Sequence, residues 1–320
     1  MRAALAGAGL AQAVAVHAQV SGRVPRLGYL WIGPPGSDGD TLRGLKQGLL
    51  DLHYVEGKTI LIDYRYADGD PARLPALVRE LVASHIDLLL VAGSQSALAA
   101  KADAGDVPIV GTTGDPVELG LAASIGRPGG NYTGLSTATN DFIAAKVLDL
   151  LVATVPWARR VGFLTNNAIN IDQLRRARAT AVALRIELIV FDVPSTARLQ
   201  GAFDEIAAAQ LDALVVNSDP LFGANMLRII EFARAQRLPT IYRGAEFVKN
   251  GGLMSYGHNI YTMWRRAMVL ADHILKGAKP ADLPIELPTS FELRLNLQTT
   301  KELGLIIPLD VLARADEVIE

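Results

Sequence analysis

The sequence predicts an α/β protein built as two doubly wound parallel-sheet lobes. Short, continuously apolar runs such as DLLLVA (Asp87–Ala92) and VPIVGT (Val107–Thr112) are the mark of strands covered on both faces. Each runs into a small polar loop, Gly93-Ser94-Gln95-Ser96 after the first and Thr113-Gly114-Asp115-Pro116 after the second. The same strand–helix alternation starts afresh after the breaker cluster Ser124–Asn131 (SIGRPGGN). In such sheets a ligand crevice lies beyond the carboxyl ends of the strands.

The elements of the first half follow in order. After a polar linker, Arg26–Ile32 (RLGYLWI) reads as a strand, and the Gly- and Pro-rich run Gly33–Gly39 as a loop. Asp40 or Thr41 caps a helix to about Leu52, with Leu42, Leu45, Leu49 and Leu52 on one face. Thr59–Tyr66 is a strand, and Asp70-Pro71 opens a helix to Ser84, the Asp as cap and the Pro in the first turn. The two apolar strands come next, joined by the helix Ala97–Ala104. Right-handed crossovers then give a parallel sheet. Tyr132–Ser136 is a short strand at the first passage between lobes.

In the second half Asp141–Val155, Ile171–Leu184, Ala197–Gln210 and Gly223–Gln236 read as helices. They alternate with the strands Arg160–Leu164, Glu187–Asp192, Leu211–Val216 and Pro239–Tyr242. Gly252–Tyr256 is a further short strand, and Tyr261–Leu275 an amphipathic helix stopped by Gly277 and Pro280. Leu283–Leu287 is an edge strand or connector because of its proline, Phe291–Asn296 a strand, and Leu297–Leu303 a short helix. Neither Gly252–Leu275 nor the tail can form a core alone. Both must be added to the existing lobes, so the chain crosses between them more than once, and several crossings make a hinge.

Composition narrows the function. The chain has 320 residues, enough for two cores, with 50% apolar and 20% charged residues. A net charge of −2 gives no basic excess, so nucleic acid is not expected as a partner. Cysteine is absent, which excludes disulfides, thiolate metal sites and a cysteine nucleophile. Met1-Arg2 followed by the apolar run Ala3–Val16 and the small-residue pattern Val16-His17-Ala18 reads as an export signal cleaved after Ala18. That run is too short to span a bilayer. The five histidines are scattered, and neither a G-x-S-x-G elbow nor a phosphate-binding Gly-Lys-Ser/Thr loop occurs. No enzyme activity, cofactor or metal is expected.

Six segments carry a family resemblance. They are Leu27–Leu30 (LGYL), Gly114–Gly120 (GDPVELG), Arg127–Ser136 (RPGGNYTGLS), Gly251–Gly257 (GGLMSYG), Ile274–Pro284 (ILKGAKPADLP) and Ala313–Ile319 (ARADEVI). In order and content they resemble the ABC-transporter substrate-binding proteins of the tryptophan-binding-like group, which have the type I periplasmic-binding fold. The resemblance implies two lobes joined by a three-strand hinge, with crossings near residues 134–138, 255–259 and 282–288. It divides the chain into residues 1–24 (signal peptide and linker), 25–135 plus 257–282 (first lobe), and 136–256 plus 283–320 (second lobe). It also implies a soluble periplasmic monomer that captures a small organic solute, an amino acid or an aromatic or carboxylate-like molecule, and passes it to an ABC permease of the inner membrane. A ligand-sensing regulator or an α/β enzyme on the same fold is the alternative. A regulator would need an N-terminal helix-turn-helix, for which residues 1–25 are too short and too apolar.

Candidate ligand contacts lie at strand ends. Ser94, Gln95 and Ser96 sit where a strand turns into a helix, whose free N–H groups and dipole attract a carboxylate. Capping alone also accounts for such residues. Thr113 and Asp115 follow the next strand, and Asn217 and Asp219 hold the corresponding place in the second lobe, where an Asp suits an amino group. Trp31, Tyr242 and Tyr256 are aromatics at strand ends, suited to stacking on a planar solute. Arg243 suits either a second acid group or a pair with Glu246, surface pairing being the default. Trp157 and Trp264 are expected to pack against helices, and Arg175, Arg176 and Arg178 to form a solvated face.

Overall fold

The computed structural model describes residues 23–137, 142–167, 171–288 and 291–320. The expected export signal lies outside the described residues. Among the described residues no helix is long and apolar enough to cross a membrane.

The first sheet grows from two fully buried strands. β1 (Arg26–Trp31) is followed by α1 (Gly39–Asp51), β2 (Leu61–Tyr66) and α2 (Leu74–Ala83). β3 (Leu88–Ala92) leads into α3 (Ser94–Asp103), β4 (Ile109–Thr113) and β5 (Tyr132–Ser136). The strands are parallel in the order β2-β1-β3-β4-β5. Leu27, Leu88, Leu90 and Val110 face one core and Leu30, Leu89, Val91 and Ile109 the other, so apolar residues are needed at every position. β2 is an edge, and its Asp63 pairs with Arg26 at 2.9 Å.

The second sheet opens with α4 (Phe142–Thr154), β6 (Arg160–Thr165), α5 (Ile171–Leu184), β7 (Glu187–Asp192), α6 (Leu199–Ala208) and β8 (Ala213–Val216). It continues through α7 (Pro220–Ala224), α8 (Met226–Ala235), β9 (Thr240–Tyr242), α9 (Ala245–Lys249) and β10 (Met254–Gly257). α10 (Ile260–Leu275) then returns to the first lobe. β11 (Glu292–Asn296), α11 (Leu297–Leu303), α12 (Leu309–Leu312) and β12 (Glu317–Ile319) complete the second. The seven strands run in the order β12-β11-β10-β9-β8-β6-β7.

α10 belongs to the first core because of its neighbours. Asn259 caps it, its side chain accepting from the Thr262 amide at 3.1 Å. Trp264 is fully buried and meets Tyr29 edge-on with ring centroids 6.2 Å apart. Gly44 and Gly48, one turn apart on α1, let α10 approach: a Cβ on Gly48 would stand 2.7 Å from the Arg265 carbonyl.

Several expectations need correction. The single helix expected over Gly223–Gln236 is two, because Asp219 caps α7 and Asn225 ends it by donating to the Leu221 carbonyl at 2.8 Å. The helix expected from Asp70 begins as a separate 3₁₀ turn, Pro71–Arg73. β11 pairs antiparallel with β10, so the second sheet is mixed. Leu283–Leu287, by contrast, runs along the edge of β5 as the expected connector, bridging Leu135 through Glu286, with Pro284 having no N–H to extend the pairing. Ile285 is buried among first-lobe residues. Trp157 is 58% exposed and does not pack as expected, whereas Trp264 does.

Candidate functional site

The carboxyl ends of both sheets face each other across a cavity of about 790 Å³. The lobes touch at its rim. The Thr196 amide of the second lobe donates to the Gly69 carbonyl of the first at 3.2 Å, and the Gln95 side chain donates to the Pro194 carbonyl at 3.2 Å.

On the first-lobe side the loops after β1, β3 and β4 form the wall. Trp31 is 5% exposed, its indole N–H donating to Ser37 Oγ at 2.8 Å, while Ser37 Oγ donates to the Pro34 carbonyl. These bonds fix the ring. Ser94 begins α3, and its Oγ accepts from the Gly114 amide at 3.0 Å, which ties the β3 and β4 loops together and leaves its own O–H to donate. The first bond of α3 runs from the Ala97 amide to the Gly93 carbonyl, so the amides of Ser94, Gln95 and Ser96 have no partner within the helix. Thr113 Oγ1 shares a hydrogen bond with the Tyr132 hydroxyl at 3.1 Å.

The second-lobe wall comes from the loops after β8, β9 and β10. Asn217 Nδ2 donates to Thr165 Oγ1 at 3.3 Å. Asp219 Oδ1 accepts from the Leu221 amide at 2.8 Å, and its buried Oδ2 has no hydrogen-bond partner. Burial pushes the Asp219 carboxyl up to about 7, against the pull of the Leu221 amide and the nearby Asn166 side chain. Arg243 is buried as well, and desolvation brings its guanidinium down to about 10. Beside it His258 is held neutral, pushed down to about 3 by burial and by the Arg243 charge.

At the rim, Asp40 on α1 and Glu246 on α9 meet across the lobes, where a protonated Asp40 can donate to the Glu246 carboxylate. Burial and Glu246 raise Asp40 to about 6, while Arg43 and Lys249 pull the other way.

Of the residues singled out from sequence, Trp31, Ser94, Thr113, Asn217 and Asp219 line the cavity together. The others sit elsewhere. Gln95 bridges the lobes at the rim, Ser96 is buried with its hydroxyl unpartnered, and Asp115 accepts from the Val117 and Glu118 amides as a cap. Tyr242 is a core residue stacked on Phe247 with centroids 4.5 Å apart, and Tyr256 packs near Phe291 at 6.1 Å. The expected Arg243–Glu246 surface pair is not formed: Arg243 is buried, and Glu246 pairs with Lys249 at 2.7 Å. The sequence reading missed Asp38, His258 and Arg294 as wall residues. Asp38 could have been found from its place in the loop after the first strand. His258 and Arg294 gave no local signal. Among the described residues no cluster of His, Cys, Asp or Glu could hold a metal ion.

The family model described as "ABC transporter substrate binding protein" matches residues 34–319. The chain belongs to this family of ABC-transporter substrate-binding proteins. It is 27% identical over 270 residues to the tyrosine-binding protein of Clostridioides difficile (strain R20291), covering 82% of this chain and 76% of that protein. Its fold is similar to an ABC domain from Streptococcus pneumonia in complex with L-Trp, with TM-score 0.85 and 24% identity over 93% of this chain and 100% of that one. It is also similar to a ligand-free, open substrate binding protein with adhesive properties from Clostridium difficile, with TM-score 0.63 and 23% identity over 92% and 99%. This substrate-binding protein thus has the type I periplasmic-binding fold. Its family works outside the cytoplasm, taking up small-molecule solutes for ABC permeases.

Proposed function

We propose that this substrate-binding protein captures an amino acid in the cavity between its lobes and closes on it by hinge motion. The observation that carries the reading is Asp219: a buried carboxyl on the second-lobe wall with one oxygen unpartnered. It suits an ammonium group. The Ser94 hydroxyl and the free amides of α3, on the opposite lobe, suit a carboxylate. A zwitterion touching both lobes favours the closed state, as only differential contact can.

Trp31, Thr113 and Asn217 complete the proposed contacts, with Gln95 fastening the rim. In this reading Ser96, Asp115, Tyr242 and Tyr256 support the wall from behind. The lobes divide at 25–135 plus 257–282 and 136–256 plus 283–320. The protein acts as a periplasmic monomer after cleavage behind Ala18, binds no nucleic acid, and releases its solute chemically unchanged to the permease. The tyrosine-binding relative and the L-Trp complex of a structural neighbour support an amino acid, aromatic ones first.

Isothermal titration of the twenty common amino acids into ligand-stripped protein tests the reading. L-Tyr or L-Trp, or another member of the set, is expected to bind, and Asp219→Asn to lose that binding. Absence of binding by the whole set, or full affinity in Asp219→Asn, would overturn it.

A further inference from the structure

Three arginines of the second lobe contribute to the cavity wall: Arg294 is paired, Arg228 is exposed and donates to Asn225 Oδ1 at 3.3 Å, and Arg243 is both buried and without a carboxylate partner. Arg294 lies 2.7 Å from Glu292 and 2.9 Å from Glu317. Arg243 is 6% exposed, its Nε has no hydrogen-bond partner, and among the described residues no carboxylate lies within ion-pair distance. The cavity's Arg43 and Lys249 differ: both are exposed and paired, with Asp40 and Glu246. A buried guanidinium keeps its charge, so leaving it without a counter-ion is costly.

The opposite charge on the same wall does not fill this role. Asp219 responds to its burial, to the Leu221 amide and to Asn166; Arg243 responds to its burial and to Tyr256. Among the described residues the two form no ion pair. They are separate stations in one cavity rather than a self-neutralising pair. His258, adjacent to Arg243, is 3% exposed with Nδ1 unpartnered, and it stays uncharged at neutral pH. A neutral imidazole can offer a ring N–H to an anion that the guanidinium fork holds by two parallel bonds.

We propose that Arg243, with His258 beside it, forms a second anion subsite, and that the solute carries a carboxylate remote from its amino group. The solute class is then an amino acid whose side chain ends in an acid. This rests on the reading above, in which Asp219 takes the ammonium and the α3 terminus the α-carboxylate.

Matched probes test it by isothermal titration at neutral pH: L-glutamate against L-glutamine, and para-carboxy-L-phenylalanine against para-carbamoyl-L-phenylalanine, with L-tyrosine and L-tryptophan as references. In at least one pair the acid is expected to bind wild type at least about tenfold tighter than its amide. Arg243→Gln should erase that preference with the reference affinity held within about threefold, and Arg243→Lys should keep part of it. Circular dichroism and melting temperature establish that each variant is folded, and Arg243→Lys alone decides the matter if Arg243→Gln is not. Reference binding without preference for either acid overturns the subsite and leaves the proposed function standing. A preference that survives removal of the guanidinium also overturns it, as does a uniform loss for every probe, which would put the α-carboxylate on Arg243. If no amino acid binds wild type, the proposed function falls and the subsite with it.

Discussion

Gly93 and Pro220 meet across the cleft so closely that a Cβ on Gly93 would collide with the proline ring. Gly93 also holds φ at +89°, a conformation side-chain-bearing residues rarely adopt. The pair sits where β3 turns into α3 and where α7 begins, so closure brings the two strand-end loops into direct contact.

Gly93→Ala is therefore expected to prop the lobes apart. The closed population, and with it solute affinity, should fall by about tenfold or more, and the radius of gyration with saturating solute should stay near the open value. Pro220→Ala in the same chain removes much of the obstructing ring and should restore part of the affinity. Wild-type affinity in Gly93→Ala would show that this contact does not limit closure.

The Asp219 carboxyl, raised to about 7 by burial, gives binding a pH dependence. An ammonium group pairs with the ionised form, so affinity should fall by up to about tenfold per unit as pH drops below about 7. Titrations in buffers of different ionisation enthalpy near neutral pH should report proton release on binding. Stability runs the other way. The folded chain holds this proton at pH values where the unfolded chain has lost it, so the unliganded protein loses stability as pH rises from about 4 to about 7. Asp219→Asn should stabilise it above that window by on the order of a few kcal/mol, measured by urea unfolding.

Asp40 and Glu246 act at the rim. Burial and the Glu246 hydrogen bond raise Asp40 to about 6, with Arg43 and Lys249 as the compensating cations. A raised carboxyl favours the contact below its pKa, so the unliganded closed form should gain population as pH falls through about 6. Donor and acceptor dyes on the two lobes would follow it. Asp40→Asn should flatten the response, and an unchanged pH profile in that variant would refute the rim assignment.

Gly44 and Gly48 set the distance between α1 and α10. Gly48→Ala places a methyl group against the Arg265 carbonyl and Met268, so overpacking should outweigh the gain in helix propensity and cost about 1–3 kcal/mol. Hydrogen exchange should show the loss in β1 and β3 amides, with β6 and β8 protection retained. Uniform loss across both sheets would mean the lobes unfold as one.

Much of this architecture is legible in residue patterns. β1, β3 and β4 read as strands because burial on both faces demands unbroken apolar runs, and Asn259 and Gly277 bracket α10 as cap and stop. The side on which a strand-end residue points is harder to read. Trp31 and Tyr242 both end strands, yet Trp31 lines the cavity while Tyr242 stacks on Phe247 in the core. A shift of one position in the pleat decides between those outcomes, and the first residues of a loop do not preserve the strand's alternation. Arg243 looked like a surface residue because what buries it comes from elements distant in sequence, including Gly257, where an added Cβ would stand 2.3 Å from the Arg243 carbonyl. The break between α7 and α8 depends on a side-chain hydrogen bond from Asn225, which periodicity does not register.

The position of α10 in the chain has a bearing on biosynthesis. Leu45 and Leu49 share a core with Trp264 and Met268, which arrive after five of the seven strands of the other lobe have been synthesised. The amino-terminal half therefore leaves the ribosome with an apolar face still open, and its folding cannot finish early.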